Sequence, residues 1–279
     1  ALEMDPQFAQ AWNELAGAYV REAGRGWVAT TDGYERAREA VMRAISLEPD
    51  LPEANSTLGW IRLIHDWDWK GADECTRKAL ALAPGNAMVL GLAGALASIF
   101  ARHEEAIALF RQAIERNPLA VAGYNNLGQE LIAVGQFQEA EGAYRKGLEV
   151  TPQTGAARGG LALALLAQGR TDEALAEATR EPEAAYRLWA LATIHHAMGR
   201  ELESRAALDE LIEIGAQDNA VQIAEVTAPR GEVDASFDWL ERAYVQRDSG
   251  LAETLGNPHL RSLHGDPRWS AFLRKMGLE

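Results

Sequence analysis

Apolar and polar residues recur along most of the chain with the spacing of amphipathic helices. Apolar side chains stand three and four residues apart in five stretches, AWNELAGAY, ANSTLGWIR, VLGLAGALA, GYNNLGQEL and ARGGLALAL. This spacing places them on one face of a helix. A second amphipathic stretch follows each of the five, and the turn between the two contains Gly135 in one case and Gly169 in another. The pattern therefore predicts an all-α chain made of consecutive helix pairs.

Prolines close these pairs at a nearly constant interval. They are Pro6, Pro49, Pro84, Pro118 and Pro152, which are 43, 35, 34 and 34 residues apart. Proline cannot continue a helix, so each one marks the end of a pair. A small residue, which lets two helices approach closely, stands five positions before each of the last four prolines: Ala44, Ala79, Ala113 and Gly147. The interval predicts a repeat of about 34 residues.

The repeat resembles the tetratricopeptide repeat (TPR), and the resemblance covers almost the whole chain. It is most complete in residues 121–154, where the matching positions are Tyr124, Leu127, Gly128, Ala140, Tyr144 and Pro152. The resemblance implies a right-handed superhelical solenoid of antiparallel helix pairs, with about seven units and a C-terminal capping helix. Solenoids of this kind present an extended concave surface that binds partners.

The prolines and glycines also predict the boundaries of the units within a single solenoid over residues 1–279. Residues 1–8 are expected to be the tail of a truncated repeat, and residues 251–279 the C-terminal cap. The units between them are expected at 9–51 with an insertion at 21–33, then at 52–86, 87–120 and 121–154 as regular repeats, and at 155–184, 185–216 and 217–250 as degenerate ones.

Three features resemble a narrower group, the C-terminal repeat regions of bacterial signalling proteins. They are the DWDW turn at Asp66 to Trp69, the pair Gly26 and Trp27 in the first unit, and the ending DPRWSAFLRKMGL from Asp266 to Leu278. In that group the first half of the protein is a winged-helix regulator, a class III adenylate cyclase or a protein kinase. The resemblance implies a regulatory or scaffolding role for this chain.

Charge and composition narrow the range of partners. The chain has 27 basic and 41 acidic residues, a net charge of −14, which repels nucleic acid and anionic lipid. One cysteine, Cys75, excludes an internal disulfide framework. No apolar run is long enough to span a bilayer and no signal peptide is visible. We expect no binding to nucleic acid or membranes and a cytoplasmic location, with the periplasm as the alternative.

The sequence predicts no catalytic residue, metal site or cofactor. It contains no phosphate-binding loop, zinc-protease motif or nucleophile elbow. His195 and His196 are adjacent but lack a ligating residue four positions away, so we expect one of them in the contact between paired helices and the other on the groove. Cys75 has no evident base partner and is expected to be a buried structural thiol.

The predicted binding surface is the concave side, lined by the first helix of each pair. Helical spacing nominates ten partner-binding residues: Asn13, Trp60, Leu63, Leu92, Ile99, Asn126, Gln129, Leu163, Tyr186 and Trp189. Lysine and arginine are nearly absent from these lines, which argues against the carboxylate clamp of the family. An apolar groove with Asn126 and Gln129 as its polar pair suits an amphipathic helix or an extended peptide. The alternative is that the chain itself closes on this groove or that these residues are helix contacts.

The leading hypothesis is therefore a non-catalytic module that binds a protein or peptide in its concave groove. A second hypothesis is a small-ligand sensor with aromatic walls formed by Trp60, Tyr186 and Trp189. A third is self-association into a homo-oligomer that brings together an attached effector domain.

Overall fold

The computed structural model describes residues 1–24 and 28–279, and all the regular elements in that part of the chain are helical. Gly26 and Trp27, with the middle of the expected insertion at 21–33, lie outside the described residues. The chain forms two compact units, Ala1–Leu96 and Ala97–Glu279.

The first unit contains two complete helix pairs. Its helices are α1 Ala9–Gly24, α2 Thr30–Leu47, α3 Pro52–Ile61, α4 Trp69–Leu82 and the beginning of α5 Ala87–Ile99. A π-helical turn, Arg62–Asp66, continues α3. The Asp68 side chain accepts a hydrogen bond from the Gly71 amide at 2.9 Å and is the N-cap of α4.

The second unit continues the pairing from the end of α5. Its helices are α6 His103–Arg116, α7 Val121–Ala133, α8 Phe137–Val150, α9 Ala157–Ala167, α10 Thr171–Thr179, α11 Ala184–Ala197, α12 Glu201–Gly215, α13 Ala220–Thr227, α14 Val233–Gln246 and α15 Pro267–Met276. Within the described residues the first helices of its pairs are α7, α9, α11 and α13, and each packs against the second helix that follows it.

Glycines form the turns inside the pairs of the second unit. The φ angle of Gly135 is +79°. The next amide, at Gln136, donates to the Leu131 carbonyl at 2.8 Å, which is the Schellman motif that ends a helix. The same bond recurs after Gly169, where φ is +77°, so the predicted turns at Gly135 and Gly169 are confirmed. Ala101 takes this conformation without being glycine, with φ at +52°.

The ring of Tyr144 on α8 is the reason why two positions on the neighbouring helices are glycine. A Cβ atom placed on Gly128 of α7 would lie 2.6 Å from the Tyr144 ring. One placed on Gly160 of α9 would overlap the same ring. The buried tyrosine therefore packs directly on the backbones of two first helices, which only glycine permits.

The later pairs use buried acidic side chains to hold the starts of their first helices. Glu181, which is 1% exposed and follows α10, accepts hydrogen bonds from the amides of Ala156, Arg158 and Gly159 at the start of α9. Asp248, which follows α14, accepts from the Val221 amide of α13 at 3.1 Å. Each carboxylate satisfies amides that an α-helix leaves without an internal partner.

Two 3₁₀ segments, Ser249–Gly256 and Pro258–Leu263, precede the last helix. Asp266 caps α15 by accepting from the Arg268 amide at 2.9 Å. Pro267 is in its first turn and Gly277, with φ at +70°, ends it. These three residues confirm the helix predicted at the end of the chain.

Candidate polypeptide-binding face

Five of the ten predicted partner-binding side chains are buried and closed to a partner in this structure. They are Asn13, Leu63, Leu92, Ile99 and Leu163. Asn13 is in the first unit, where its Oδ1 atom accepts a hydrogen bond of 2.8 Å from the Thr57 hydroxyl. Leu63 lies in the π-helical turn, where α-helical spacing no longer holds. The positions that line a groove and those that face the next helix share one periodicity, so spacing alone did not separate them.

The other five are at least partly accessible. Trp60 is half-buried in the first unit. In the second unit Gln129 is exposed, while Asn126, Tyr186 and Trp189 are half-buried. Asn126 and Gln129 are three residues apart on α7 and therefore share a face of that helix. Tyr186 and Trp189 make an edge-to-face contact on α11, with ring centroids 6.5 Å apart.

A segment of the chain itself lies against these residues in the second unit. We call residues 249–263 the docked segment, and the surface formed by α7, α11 and α13 the first-helix face. The Gln129 side-chain amide donates a hydrogen bond to the Glu253 carboxylate. The His259 ring contacts the Trp189 ring edge to face, with centroids 5.6 Å apart. These contacts follow the expectation that the chain closes on its own groove.

Further contacts extend the docked segment across the face. At one end the Arg261 guanidinium donates to the Ala133 carbonyl at the end of α7, at 2.8 Å. At the other the Asn257 amide donates to the Glu225 carboxyl of α13, at 2.6 Å. Gly256 packs on the His103 ring, to which an added Cβ atom would come within 2.7 Å. The segment thus reaches from the last pair to side chains of α6 and α7.

Carboxyl groups are concentrated beneath the docked segment. Glu130 of α7 is buried and accepts hydrogen bonds from the Ser98 hydroxyl and from the His103 ring, the latter at 2.8 Å. Glu225 of α13 and Glu253 of the segment face the same interior, and they have no basic partner among the hydrogen bonds described above. Their hydrogen bonds instead come from the amides of Asn257 and Gln129.

The pKa values of this cluster reflect burial. Burial, together with the Glu253 and Asp248 carboxyls, raises the pKa of Glu225 to about 8 against the opposing hydrogen bond from Asn257. Burial and the Glu130 carboxylate raise the pKa of Glu253 to about 7. Burial, with a smaller contribution from Arg261, lowers the pKa of His259 to about 4. Near neutral pH Glu225 is therefore mostly protonated and His259 is neutral in the docked chain.

Two of the side chains that were considered as catalytic or metal-binding residues, those of Cys75 and His196, are buried or paired with a neighbouring side chain. Cys75 is buried, and burial raises the pKa of its thiol. The His196 ring is paired with Glu201, with its Nδ1 atom 3.0 Å from the carboxylate. Among the described residues no cluster of three or more histidine, cysteine or acidic side chains is arranged to hold a metal ion. No helix in the described part of the chain is both long and apolar enough to cross a bilayer.

Sequence reasoning missed the residues that make the polar contacts of the docked segment, namely Glu225, Glu253, Asn257, His259 and Arg261. One signal was present for Glu225 and for Glu130, since each is the one charged residue in a stretch of uncharged residues, AVQIAEVT and NNLGQELIA. A charge at such a position requires a buried partner. The hydrogen-bond partners of these two residues come from other helices or from the docked segment, 27 to 32 positions away, and helical periodicity does not identify them.

Comparisons with known proteins agree on the architecture. Residues 125–185 match the family model of the tetratricopeptide repeat. A search of curated protein sequences gave no significant match. Among solved structures, a tetratricopeptide repeat protein from Parabacteroides merdae is similar over 91% of this chain and 98% of its own, with a TM-score of 0.59 and 18% identity.

Two further solved structures are similar in fold. PilW, a type IV pilus biogenesis factor, is similar over 74% of this chain and 92% of its own, with a TM-score of 0.59 and 21% identity. PilF from Pseudomonas aeruginosa is similar over 78% of this chain and 99% of its own, with a TM-score of 0.54 and 20% identity. At these identities the similarity shows the fold alone. The fold of this chain is that of a tetratricopeptide-repeat solenoid.

Proposed function

We propose that this chain is a non-catalytic interaction module that binds a polypeptide segment of a partner protein on the first-helix face of its second unit. The observation that carries the proposal is the docked segment itself. It is a largely 3₁₀-helical polypeptide that lies on that face through side-chain amide, carboxyl and aromatic contacts. A surface that accommodates one such segment has the chemistry to recognise another.

The similarity in fold to PilW, a type IV pilus biogenesis factor, also supports a role in association with other proteins. On the resemblance of the Asp66 to Trp69 turn and the Asp266 to Leu278 ending to bacterial signalling proteins, we propose a regulatory or scaffolding role beside an effector domain. The small-ligand hypothesis is weaker, because His259 packs on Trp189 where an aromatic wall was expected.

Site-specific photo-crosslinking tests the proposed function. A photoreactive amino acid at Asn126, on the first-helix face, is compared with one at Gly142, an exposed position of α8 with open space around it. Both chains are irradiated in a bacterial lysate. We expect a crosslinked partner polypeptide from position 126 and none from position 142. Equal crosslinking from both positions, or none from either, would contradict the proposal.

A further inference from the structure

The docked segment belongs to none of the helix pairs, yet it makes contacts along the second unit. Three of its leucines, Leu251, Leu260 and Leu263, are fully buried. Four of its polar side chains, those of Glu253, Asn257, His259 and Arg261, contact specific groups on the first-helix face. A simple end cap needs only to cover the last pair, α13 and α14. The contacts with α6 and α7 therefore require a separate explanation.

The polar contacts of the docked segment fall on all three helices of the first-helix face. Glu253, Asn257, His259 and Arg261 are separated by four, two and two positions. They meet, in turn, the Gln129 amide, the Glu225 carboxyl, the Trp189 ring and the Ala133 carbonyl. Each of these four groups on the face recognises a different chemistry: a carboxylate, an amide donor, a ring and a cation. Together they specify the direction and spacing of the segment that they hold.

We propose that the docked segment is an internal ligand that occupies the partner-binding site, and that the partner carries a segment with the same chemistry. This inference rests on the proposed function and specifies its ligand. The partner carries an acidic residue, an amide side chain four positions later and an arginine four positions after that, flanked by leucines. It binds by replacing residues 249–263, so the docked segment weakens partner binding to the free chain without preventing it.

The covalent link makes this competition strong. A ligand attached by a short linker is present at an effective concentration of about 1 mM. A free peptide with micromolar intrinsic affinity would therefore bind the intact chain about 1,000-fold more weakly than it binds a released face. Substitutions that release the docked segment should uncover that affinity.

Two positions allow the segment to be released without altering the face. At Gly256, a valine side chain would collide with the His103 ring, which Glu130 holds in place. Asn257→Asp would set a carboxylate against Glu225 in place of the amide donor. Gly265→Val is the matched control, because an added Cβ atom at Gly265 meets nothing within 4 Å. Circular dichroism verifies that each full-length variant keeps its helices.

The experiment combines hydrogen exchange of residues 249–263 with titration of a fluorescent synthetic peptide of residues 249–264. We expect Gly256→Val and Asn257→Asp to raise exchange in the segment and to bind the peptide at least tenfold more tightly than the wild type and Gly265→Val. Peptides carrying Glu253→Gln or Arg261→Ala should bind at least fivefold more weakly than the unchanged peptide.

Two results would overturn the inference. If neither releasing variant raises exchange in residues 249–263, the segment is a fixed part of the fold and not a ligand. If exchange rises but the peptide does not bind, the face does not recognise this chemistry. In both cases crosslinking of a partner from Asn126 would still support the proposed function, whereas its absence would reject that function separately.

Discussion

The regular pair α7–α8 and the degenerate pairs that follow it hold their first helices in place by different contacts. In the regular pair the aromatic ring of Tyr144 packs on the glycines of two first helices, and the N-cap residue of α7, Ala120, forms no side-chain hydrogen bond. In the pairs α9–α10 and α13–α14, a buried carboxylate that follows the second helix binds amides of the first, through Glu181 and Asp248 respectively.

The difference shows what replaces the repeat signature where it is lost. Residues 155–250 lack the closing prolines at 34-residue spacing, and charged hydrogen bonds take over the positioning of the helix starts. Such bonds are specific but require the carboxylate to be fully satisfied. The acidic interior of the last pair, with Glu225 and Asp248, then accepts the Asn257 amide and other donors of the chain. The degenerate half thus supplies two of the contacts that hold the docked segment, at Glu225 and Trp189, and α7 supplies the two others.

The largest expected effect comes from removing the carboxylate at Glu181. Glu181→Ala would leave the amides of Ala156, Arg158 and Gly159 without their partner. Unsatisfied buried donors cost about 1–3 kcal/mol each, so we expect a loss of about 3 kcal/mol in the free energy of unfolding. Urea denaturation measures it. Glu149→Ala, at an exposed position of α8, is the control, and an equally small loss for both variants would contradict the capping role.

A larger side chain against the Tyr144 ring should destabilise the chain. Gly160→Ala places a methyl group in the Tyr144 ring, and we expect a loss of about 2 kcal/mol in the free energy of unfolding. Gly142→Ala on α8 is the matched control, because its added methyl group meets open space and alanine favours a helix over glycine by up to about 1 kcal/mol. Thermal unfolding compares the two, and destabilisation of similar size at both positions would reject direct packing of the ring on Gly160.

These residues also show how much of the structure the sequence predicts. The turn glycines and the helix at the end of the chain were predicted from local signals, and the structure confirms them. The capping of α9 by Glu181 and the contact of Gln129 with Glu253 join residues 22 to 124 positions apart. Such contacts depend on how pairs stack, so helical spacing predicted Gln129 as a surface residue but not what it binds.

Docking should weaken as the pH rises. The pKa values of Glu253 and Glu225 are raised to about 7 and about 8 in the docked chain. Docking is therefore favoured by protonation, fully so below the ordinary value near 4.5, and this contribution is lost as the pH rises through 7 and 8. His259, with its pKa lowered to about 4, opposes this trend only between pH 6.5 and 4.

Hydrogen exchange of residues 249–263, corrected for its intrinsic pH dependence, measures this effect. We expect protection of the segment to decrease from pH 6 to pH 8.5. The decrease should be smaller in Glu253→Gln, which cannot ionise and keeps a polar group beside Gln129. Equal pH dependence in the variant and the wild type would show that Glu253 does not control docking.

The smallest expected effect concerns the turn at Ala101. This residue has φ at +52° where later pairs have glycine, for example Gly199 with φ at +70°. The left-handed conformation costs a non-glycine residue about 1 kcal/mol, so Ala101→Gly should raise the free energy of unfolding by up to about 1 kcal/mol. Gly199→Ala should lower it by a similar amount. Chemical denaturation of both variants checks the opposite signs, and a change of the same sign would contradict the equivalence of the two turns.

The central claim is that the first-helix face of the second unit binds polypeptide and is occupied by residues 249–263. The most direct test irradiates the purified chain with a photoreactive amino acid at Asn126 and maps the crosslinked residues by mass spectrometry. We expect attachment to the docked segment in the free chain, and transfer to an added peptide of residues 249–264 when that peptide is in large excess. Attachment elsewhere in the chain, or a pattern unchanged by excess peptide, would contradict the claim.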